Sequence, residues 1–334
     1  MIRLPKADYY APSSLKEACS IVAEHGEEAK VLGGGTDLLV ACKLKNINPA
    51  LFVSLSSISE LKGIHFHEGE SLKIGAMTSL HDIRYDSSIT ETYPALSHAA
   101  ALVGTRQLQH MGTIGGNLCL NTRCIYYNQS ERWRRSREAC FKMGGQVCHV
   151  VPKGKKCYAV FSADTVPALI ALDAEVKLAS GNEDRWVRAS ELYTGDGKEP
   201  LALKSGDLVS EIRLPPPTKS QSSTYLKYRM RETIDFPMVG VAVRMDTSEN
   251  GVCTACRVVL NAVGCGPTEV REARELLEGK APTSDLIQEV AARAEKRAHP
   301  VANTPGSTPA YRRKMARILT HRALHQVAHG LGIV

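Results

Sequence analysis

VLGGGTDLL, residues 31–39, is the stretch that decides the fold. It joins a short apolar segment, AKVL (29–32), which predicts a strand, to an apolar segment from Leu38 that predicts a helix. Glycines at a strand-to-helix turn let backbone N–H groups approach a phosphate closely, and the helix N-terminus favours its negative charge. Thr36 adds a hydroxyl donor. The turn therefore indicates either a phosphate site or a purely structural connection.

A second glycine turn, Gly112-Thr113-Ile114-Gly115-Gly116-Asn117, follows about eighty residues later. The first turn lacks the third glycine of a Rossmann fingerprint and the Gly-Lys-Ser/Thr of a P-loop, so neither of those folds is predicted. Two anion-binding turns instead suit a dinucleotide whose pyrophosphate lies between two subdomains.

The remaining pattern predicts an α+β protein. Ser14 and Glu17 form a capping box that begins a helix ending near Gly26. We place a domain boundary near Leu214-Pro215-Pro216-Pro217. Beyond it, three alternating segments (TYLKYRM, VGVAVRM and CTACRVVLNAV) predict antiparallel strands, and two helices at about 284–297 and 309–328 close the chain.

Length and composition are those of an ordinary globular protein with two or three packed domains: 334 residues, 43% apolar and 23% charged. No apolar run approaches the ~20 residues that span a bilayer, and the N-terminal stretch has no apolar core of a secretory signal. We therefore expect a cytoplasmic protein with no membrane partner. In a reducing compartment, ten cysteines indicate metal or redox chemistry more often than disulfides.

Five of the ten cysteines fall between residues 119 and 157. Four of them follow the spacing Cys124-x15-Cys140-x7-Cys148-x8-Cys157, and Cys119 lies close enough in sequence to replace a ligand. Thiolates bind zinc or iron–sulfur clusters. Structural zinc sites usually contain a tight C-x2–4-C pair, and its absence from this spacing favours a cluster held by a long loop. Incidental buried cysteines are the remaining interpretation.

The same region carries the net charge of the whole protein. Residues 121–157 contain nine Lys or Arg and two Glu, which equals the formal net charge of +7. This charge would offset a negative thiolate-bound cluster and raise its reduction potential. It would also suit an acidic protein partner. Outside this region we find no net basic surface and no nucleic-acid-binding motif, which argues against a zinc-stapled nucleic-acid binder.

The two glycine turns resemble the flavin pyrophosphate loops of a known family, the FAD-binding medium subunits of xanthine dehydrogenases and carbon monoxide dehydrogenases (molybdenum hydroxylases). The resemblance covers essentially the whole chain and includes YLKYRMRETIDFPMVGVAV (225–243) and YRRKMARILTHRAL (311–324). It implies a PCMH/vanillyl-alcohol-oxidase-type FAD-binding fold of two subdomains, 1–60 and 61–217, followed by a C-terminal α+β domain, 218–334. FAD would lie non-covalently between the two subdomains.

The resemblance also implies the flavin contacts. They are Val31, Leu32, Gly33, Gly34, Gly35, Thr36, Asp37 and Leu38 in the first turn, Thr113, Ile114, Gly115, Gly116 and Asn117 in the second, and Asp164, Leu208, Val209 and Lys227 beyond them. Within this set Gly33–Thr36 and Gly115–Asn117 would hold the pyrophosphate, and Asp164 would reach the ribityl side. Leu208 or Val209 would pack on the isoalloxazine, with Lys227 as a further contact.

The stretch 121–158 departs from most of the family, in which the second turn runs almost directly into a segment like SADTVP (162–167). One branch matches it: NLCLNTRCIYYNQSERWRR (117–135) and the later cysteines are similar to the β subunits of 4-hydroxybenzoyl-CoA reductases. Their insertion, at about 119–160 in this chain, carries a [4Fe–4S] cluster. The resemblance maps the four ligands onto Cys124, Cys140, Cys148 and Cys157 and leaves Cys119 outside.

By the same resemblance the chain is an electron-transfer subunit of an oxidoreductase and has no catalytic acid, base or nucleophile. A large subunit would hold a molybdopterin cofactor and a small one two [2Fe–2S] clusters, in a dimer of heterotrimers. The branch points to anaerobic aromatic degradation, by reductive removal of a phenolic hydroxyl from an aromatic thioester. We hypothesise that an acidic ferredoxin docks on Arg132, Arg134, Arg135 and Arg137, unless these charges only compensate the cluster.

Two other functions stay open. The chain could be the FAD subunit of another xanthine dehydrogenase-family enzyme that acts on a different aromatic substrate. A stand-alone FAD reductase, like the enolpyruvyl-glucosamine reductases, would leave the cysteine-rich segment unexplained.

Overall fold

The computed structural model describes residues 3–66, 69–181, 183–218 and 220–333. The N-terminal unit is a three-stranded parallel sheet in the order β1-β3-β2 with helices beside it. Its elements are β1 Asp8–Tyr10, α1 Leu15–His25, β2 Ala29–Leu32, α2 Leu38–Lys43 and β3 Leu51–Ser54. The sequence predicted α1, β2 and the start of α2, and the structure confirms them.

The predicted capping box at α1 forms only in part. The Ser14 hydroxyl accepts the N–H of Glu17 at 3.3 Å, which caps the helix. The Glu17 carboxylate, however, accepts from the N–H of Ser13 at 2.8 Å rather than from that of Ser14. One half of the reciprocal pair is therefore displaced by a single residue.

The second unit is built on a five-stranded antiparallel sheet in the order β4-β5-β8-β6-β7. Its elements are β4 Ile64–His65, β5 Leu72–Gly75, α3 Leu80–Tyr85, α4 Ser87–Thr92, α5 Pro94–Ala101, α6 Arg106–Met111, α7 Ile114–Leu118, α8 Glu131–Arg135, α9 Thr165–Ala171, β6 Glu175–Ala179, β7 Arg185–Arg188 and β8 Leu208–Leu214. Leu96, Ile114, Phe161, Leu169 and Val176 are among the buried side chains of the core between sheet and helices.

Between α7 and α9 the chain has little regular structure. The short helix α8 is flanked by loops, and single β-bridges join Arg123 to Val160 and Cys140 to Val147. The cysteine-rich segment therefore follows an irregular path, as the long gaps between its cysteines predict.

The C-terminal unit is a four-stranded antiparallel sheet, β12-β11-β10-β9, packed against three helices. Its elements are β9 Gln221–Tyr228, β10 Val239–Thr247, β11 Cys253–Asn261, β12 Thr268–Glu269, α10 Glu272–Leu277, α11 Ser284–Arg297 and α12 Pro309–Gly330. The three predicted strands and two closing helices are confirmed, and α12 runs two residues further than expected. In the described ranges no helix is both long and apolar enough to cross a membrane.

Candidate functional site

The two glycine turns lie directly against each other. A Cβ added at Gly34 would overlap the backbone carbonyl of Met111, which ends α6, and one added at Gly33 would lie 3.0 Å from the hydroxyl oxygen of Thr113. Gly35 has a φ of +72°, a backbone conformation that other residues rarely adopt. Glycine is therefore required in the first turn because the second turn occupies the space of a side chain.

The first turn presents backbone donors. From Gly33 to Asp37, within the part of the chain that the structure describes, no backbone N–H donates to a backbone carbonyl. Gly33, Gly34 and Thr36 are partly exposed, and so are Leu32 and Leu38 at the ends of the turn, while Val31 is exposed. Consecutive N–H groups without protein acceptors are the arrangement that binds anions.

The second turn uses most of its donors internally. Ile114 and Gly115 donate their N–H groups at 3.0 and 2.9 Å to carbonyls of residues 76–78, and the Thr113 hydroxyl accepts the N–H of Gly116 at 3.1 Å. Ile114 is fully buried and its side chain belongs to the core. Gly116 is exposed. The second turn is therefore held rigidly by its own hydrogen bonds and packs against the first turn. Its Gly116 is exposed to solvent.

Asn117 and Asp164 form side-chain hydrogen bonds at the start of α9. The Asn117 side-chain oxygen accepts from the N–H and hydroxyl of Thr165 at 3.2 and 2.7 Å. Asp164 is buried, and its carboxylate accepts from the Tyr225 hydroxyl at 2.7 Å and the Lys227 ammonium at 2.8 Å. Burial raises the pKa of Asp164, and the Lys227 charge opposes that rise. Both carboxylate oxygens therefore have protein partners from β9.

Sequence reasoning missed the partnership of Tyr225 with Asp164. Tyr225 and Lys227 stand two residues apart on β9, so both side chains project from one face of the strand. The alternation in YLKY was the available signal, because it places a hydroxyl and an ammonium side by side. The Lys227 ammonium also donates to the carbonyl of Leu102 at 2.8 Å, which leaves it fully enclosed.

Leu208 and Val209 lie at the start of β8, where two cores meet. Leu208 belongs to the core of the N-terminal unit and Val209 to that of the second unit. The preceding Asp207 accepts two hydrogen bonds from Arg185, at 2.9 and 2.5 Å. Burial alone would raise the pKa of Asp207, but the bonds from Arg185 and the Lys204 N–H bring it below its usual value.

Cys124, Cys140, Cys148 and Cys157 line a single pocket, which we call the cysteine pocket. Burial raises the pKa of the Cys124 thiol to about 11, and neighbouring Cys157 and Cys140 add to the rise. Across the described ranges, no three His, Cys, Asp or Glu side chains are grouped so that they could hold a metal ion. Cys119 does not line the pocket and packs against the core of the second unit.

Lys142 enters the wall of the cysteine pocket. Its ammonium donates to the side-chain oxygen of Asn121 at 2.7 Å, to the carbonyl of Gly197 at 2.7 Å and to the carbonyl of Thr122 at 3.3 Å. It also contacts the hydroxyl of Thr122. All these partners are neutral. Burial lowers the pKa of Lys142 to about 8, while the Cys157, Cys124 and Cys140 thiols oppose the shift.

The arginines of the insertion fall into two groups, which corrects the hypothesis that all four form a docking surface. Arg134 is buried and donates to the carbonyls of Leu44 and Lys45 at 3.1 and 2.6 Å, so it fastens the insertion to the end of α2. Arg132, Arg135 and Arg137 are exposed. Adjacent residues in a short helix point in different directions. The sequence alone does not show which of these directions faces the protein, so it could not tell the buried arginine from the exposed ones.

An aromatic cluster lies beside the cysteine pocket and was not predicted. The Tyr126 ring lies 6.1 Å from the Trp133 ring and 5.4 Å from the His149 ring, between centroids. The Arg137 guanidinium lies 4.1 Å above Trp133. Tyr126 and His149 also line the pocket. The cluster thus connects the wall of the cysteine pocket with the exposed Arg137.

An ion pair joins the two candidate sites. Arg123, the residue before Cys124, pairs with Asp37, the residue after Thr36. The Arg123 guanidinium is mostly buried and also lies 4.6 Å above the Phe236 ring, and burial lowers its pKa to about 10. The first glycine turn and the first cysteine of the pocket are therefore fixed relative to each other.

Comparison with known proteins agrees with this architecture. The chain matches the FAD binding domain in molybdopterin dehydrogenase over residues 5–217 and the CO dehydrogenase flavoprotein C-terminal domain over residues 224–327. It is 30% identical to the carbon monoxide dehydrogenase medium chain of Hydrogenophaga pseudoflava, over 96% of each chain. It is 25% identical to the xanthine dehydrogenase FAD-binding subunit of Escherichia coli O157:H7, over 87% of this chain and 89% of that one.

A solved structure of carbon monoxide dehydrogenase from Hydrogenophaga pseudoflava superposes with a TM-score of 0.80 at 27% identity, covering 98% of this chain and 99% of that one. The shared fold is the mixed α/β FAD-binding medium-chain fold with a C-terminal domain. The chain therefore belongs to the FAD-binding medium subunits of the xanthine and CO dehydrogenase (molybdenum hydroxylase) family, which are components of multi-subunit oxidoreductases.

Proposed function

We propose that this chain is the FAD- and [4Fe–4S]-containing electron-transfer subunit of a molybdenum-dependent aromatic dehydroxylase of the 4-hydroxybenzoyl-CoA reductase type. The observation that carries the proposal is the cysteine pocket: four thiols, far apart in sequence, line one cavity on an insertion beside the flavin turns. Cys119, the nearest other cysteine in sequence, lies outside it.

The residues of the cysteine pocket fit such a cluster. Four thiolates are its usual ligand set. Cys124, Cys140, Cys148 and Cys157, which line one cavity, would hold the cluster. Lys142 adds a positive charge without an acidic partner, which suits a negative group. When bound, the cluster supplies one-electron transfer.

The contact between the two glycine turns fits a non-covalent FAD. In this proposal Gly33–Thr36 and Gly115–Asn117 hold the pyrophosphate, with the N–H groups of the first turn as the main donors. Asp164 orients the ribityl side, and Lys227 acts through Asp164 because its ammonium is enclosed. Leu208 or Val209 packs on the isoalloxazine. In this proposal residues 1–60 and 61–217 are the two FAD-binding subdomains, and residues 218–334 are the C-terminal domain.

The proposed assembly is a dimer of heterotrimers with a large molybdopterin subunit and a small subunit that holds two [2Fe–2S] clusters. The relatives support it because they are named as a medium chain and as an FAD-binding subunit. We expect the complex in the cytoplasm, where thiols stay reduced and available to iron. The organic substrate would bind on the large subunit, so this chain only binds and orients its own cofactors.

We further propose that a ferredoxin donates electrons at the insertion. Arg132, Arg135 and Arg137 are exposed there and attract an acidic partner, while Arg134 is excluded from the surface by burial. Lowered salt should speed ferredoxin-dependent turnover, because exposed charges are screened at high ionic strength.

A second function is the FAD subunit of a hydroxylase that acts on another aromatic substrate. The similarity to a subunit named for xanthine dehydrogenase favours it. The two functions differ in the direction of electron flow. A dehydroxylase consumes electrons from a donor, whereas a hydroxylase delivers them to an acceptor.

The test is a metal, sulfide and flavin analysis of the complex co-purified with its partner subunits. A variant with Ser at Cys124, Cys140, Cys148 and Cys157 should lose about four iron and four sulfide per copy and keep its FAD. Equal iron in both proteins would contradict the cluster. Turnover of 4-hydroxybenzoyl-CoA with reduced ferredoxin then separates the dehydroxylase from a hydroxylase.

A further inference from the structure

Lys142 differs from the exposed basic residues of the insertion in where its charge lies. Arg132, Arg135 and Arg137 are exposed, and so is Lys155, whereas the Lys142 side chain lines the cysteine pocket. Exposed charges act on a buried group through water, which weakens them strongly. A charge in the wall of the pocket acts through protein.

The ammonium of Lys142 is held in place by two segments next to the pocket, which are themselves joined by a hydrogen bond from the Thr122 hydroxyl to the Gly197 carbonyl. Asn121 and Thr122, just before Cys124, accept from it. Gly197 also accepts from it, at 2.7 Å, and packs so closely on Cys157 that an added Cβ would lie 3.0 Å from the Cys157 sulfur. Lys142 itself follows Cys140 by two residues. One ammonium thus connects the segments of three cysteines.

No carboxylate is among the hydrogen-bond or ion-pair partners of Lys142 in the described part of the chain. Lys142 is partly buried, and a partly buried charge is stabilised by a nearby opposite charge. The neutral oxygens fix its position but do not neutralise it. A negative group in the cysteine pocket, which Lys142 lines, would compensate it, and four thiolates with a cluster would be such a group.

We propose that Lys142 sets the reduction potential of the cluster, by fixing one positive charge in the wall of the cysteine pocket. This inference rests on the proposed function, because it requires the cluster. Adding an electron makes the bound group more negative, so a fixed positive charge stabilises the reduced form and raises the potential. Lys142 is a positioning and charge-setting residue and takes no part in proton transfer.

The experiment is a potentiometric titration of the cluster in the assembled complex, followed by electron paramagnetic resonance. Lys142→Met removes the charge at similar length, Lys142→Arg keeps it, and Lys155→Met removes an exposed charge from the same segment. We expect Lys142→Met to lower the equilibrium constant for reduction at least tenfold, which is 59 mV for one electron. Lys155→Met and Lys142→Arg should change it less than about threefold.

Iron and sulfide contents separate the possible failures. A wild-type complex without the additional iron overturns the proposed function itself. Full cluster content in Lys142→Met with an unchanged potential overturns the role of Lys142 alone, as does an equal shift in Lys155→Met. If Lys142→Met loses its cluster while Lys142→Arg keeps both cluster and potential, the charge requirement is supported. Loss of the cluster in both variants would overturn it, because the hydrogen-bond geometry would then be what matters.

Discussion

Gly34→Ala is the substitution that most directly tests how the two glycine turns build the proposed flavin site. The added Cβ would overlap the Met111 carbonyl, at a separation below the 3.0 Å that real Cβ atoms keep. Because that neighbour is backbone at the end of α6, no side-chain rotation can relieve the overlap, and the two turns must separate. Overpacking of this kind costs about 1–3 kcal/mol. We expect this strain to weaken FAD binding by the same free energy, which raises the Kd for FAD roughly 5- to 150-fold.

The assay is a titration of deflavinated complex with FAD, followed by flavin fluorescence. Gly181→Ala is the matched control, since the same methyl group there meets nothing within 4 Å. Its Kd should equal that of the wild type. The melting temperature of each FAD-free protein shows whether the fold survives. A folded Gly34→Ala protein that binds FAD with wild-type affinity would refute the claim that the contact between the turns shapes the site.

Three further outcomes follow from the burial and contacts of single residues. Cys148→Ser should lose the iron of the insertion, whereas Cys119→Ser should keep it, as measured by iron analysis of the complex. Arg134→Ala should lower the free energy of unfolding by about 3 kcal/mol in urea titrations, because it removes a buried donor to several carbonyls. Arg135→Ala, on an exposed side chain, should change it by less than about 0.5 kcal/mol. Asp207→Asn should cost about 2 kcal/mol at neutral pH. The folded-state pKa of that carboxyl is depressed, so its contribution is lost as pH falls, and the difference from wild type should shrink below about pH 4.

Much of the fold could be predicted because its signals are local. The strand before Gly33 and the helices at the C-terminus follow directly from apolar periodicity, and α11 begins and ends where the pattern predicts. The short helices of the second unit were harder. The helix α7 has five residues and begins inside the second glycine turn, so its sequence predicts a turn as well as a helix.

For the candidate site the sequence supplied an inventory of residues and little about their placement. The resemblance selected the four cysteines, but nothing local indicates that Arg134 turns inward while Arg135 faces water. Nor does sequence distinguish Lys142 from Lys155, since both lie in the same basic segment. Which charges are enclosed depends on contacts with residues as distant as Leu44 and Gly197, and only the folded chain brings these together.

Those distant contacts also fix the position of an irregular insertion, as the proposed cluster would require. Arg134 binds the end of α2, and the Asn46 side chain donates to the Tyr127 carbonyl at 2.7 Å. The pair of Arg123 with Asp37 adds a third attachment beside the first glycine turn. Every one of these bonds joins the insertion to the segment that follows that turn. The proposed cluster and the proposed pyrophosphate site are thus built on one continuous support, so a displacement of α2 would move both together.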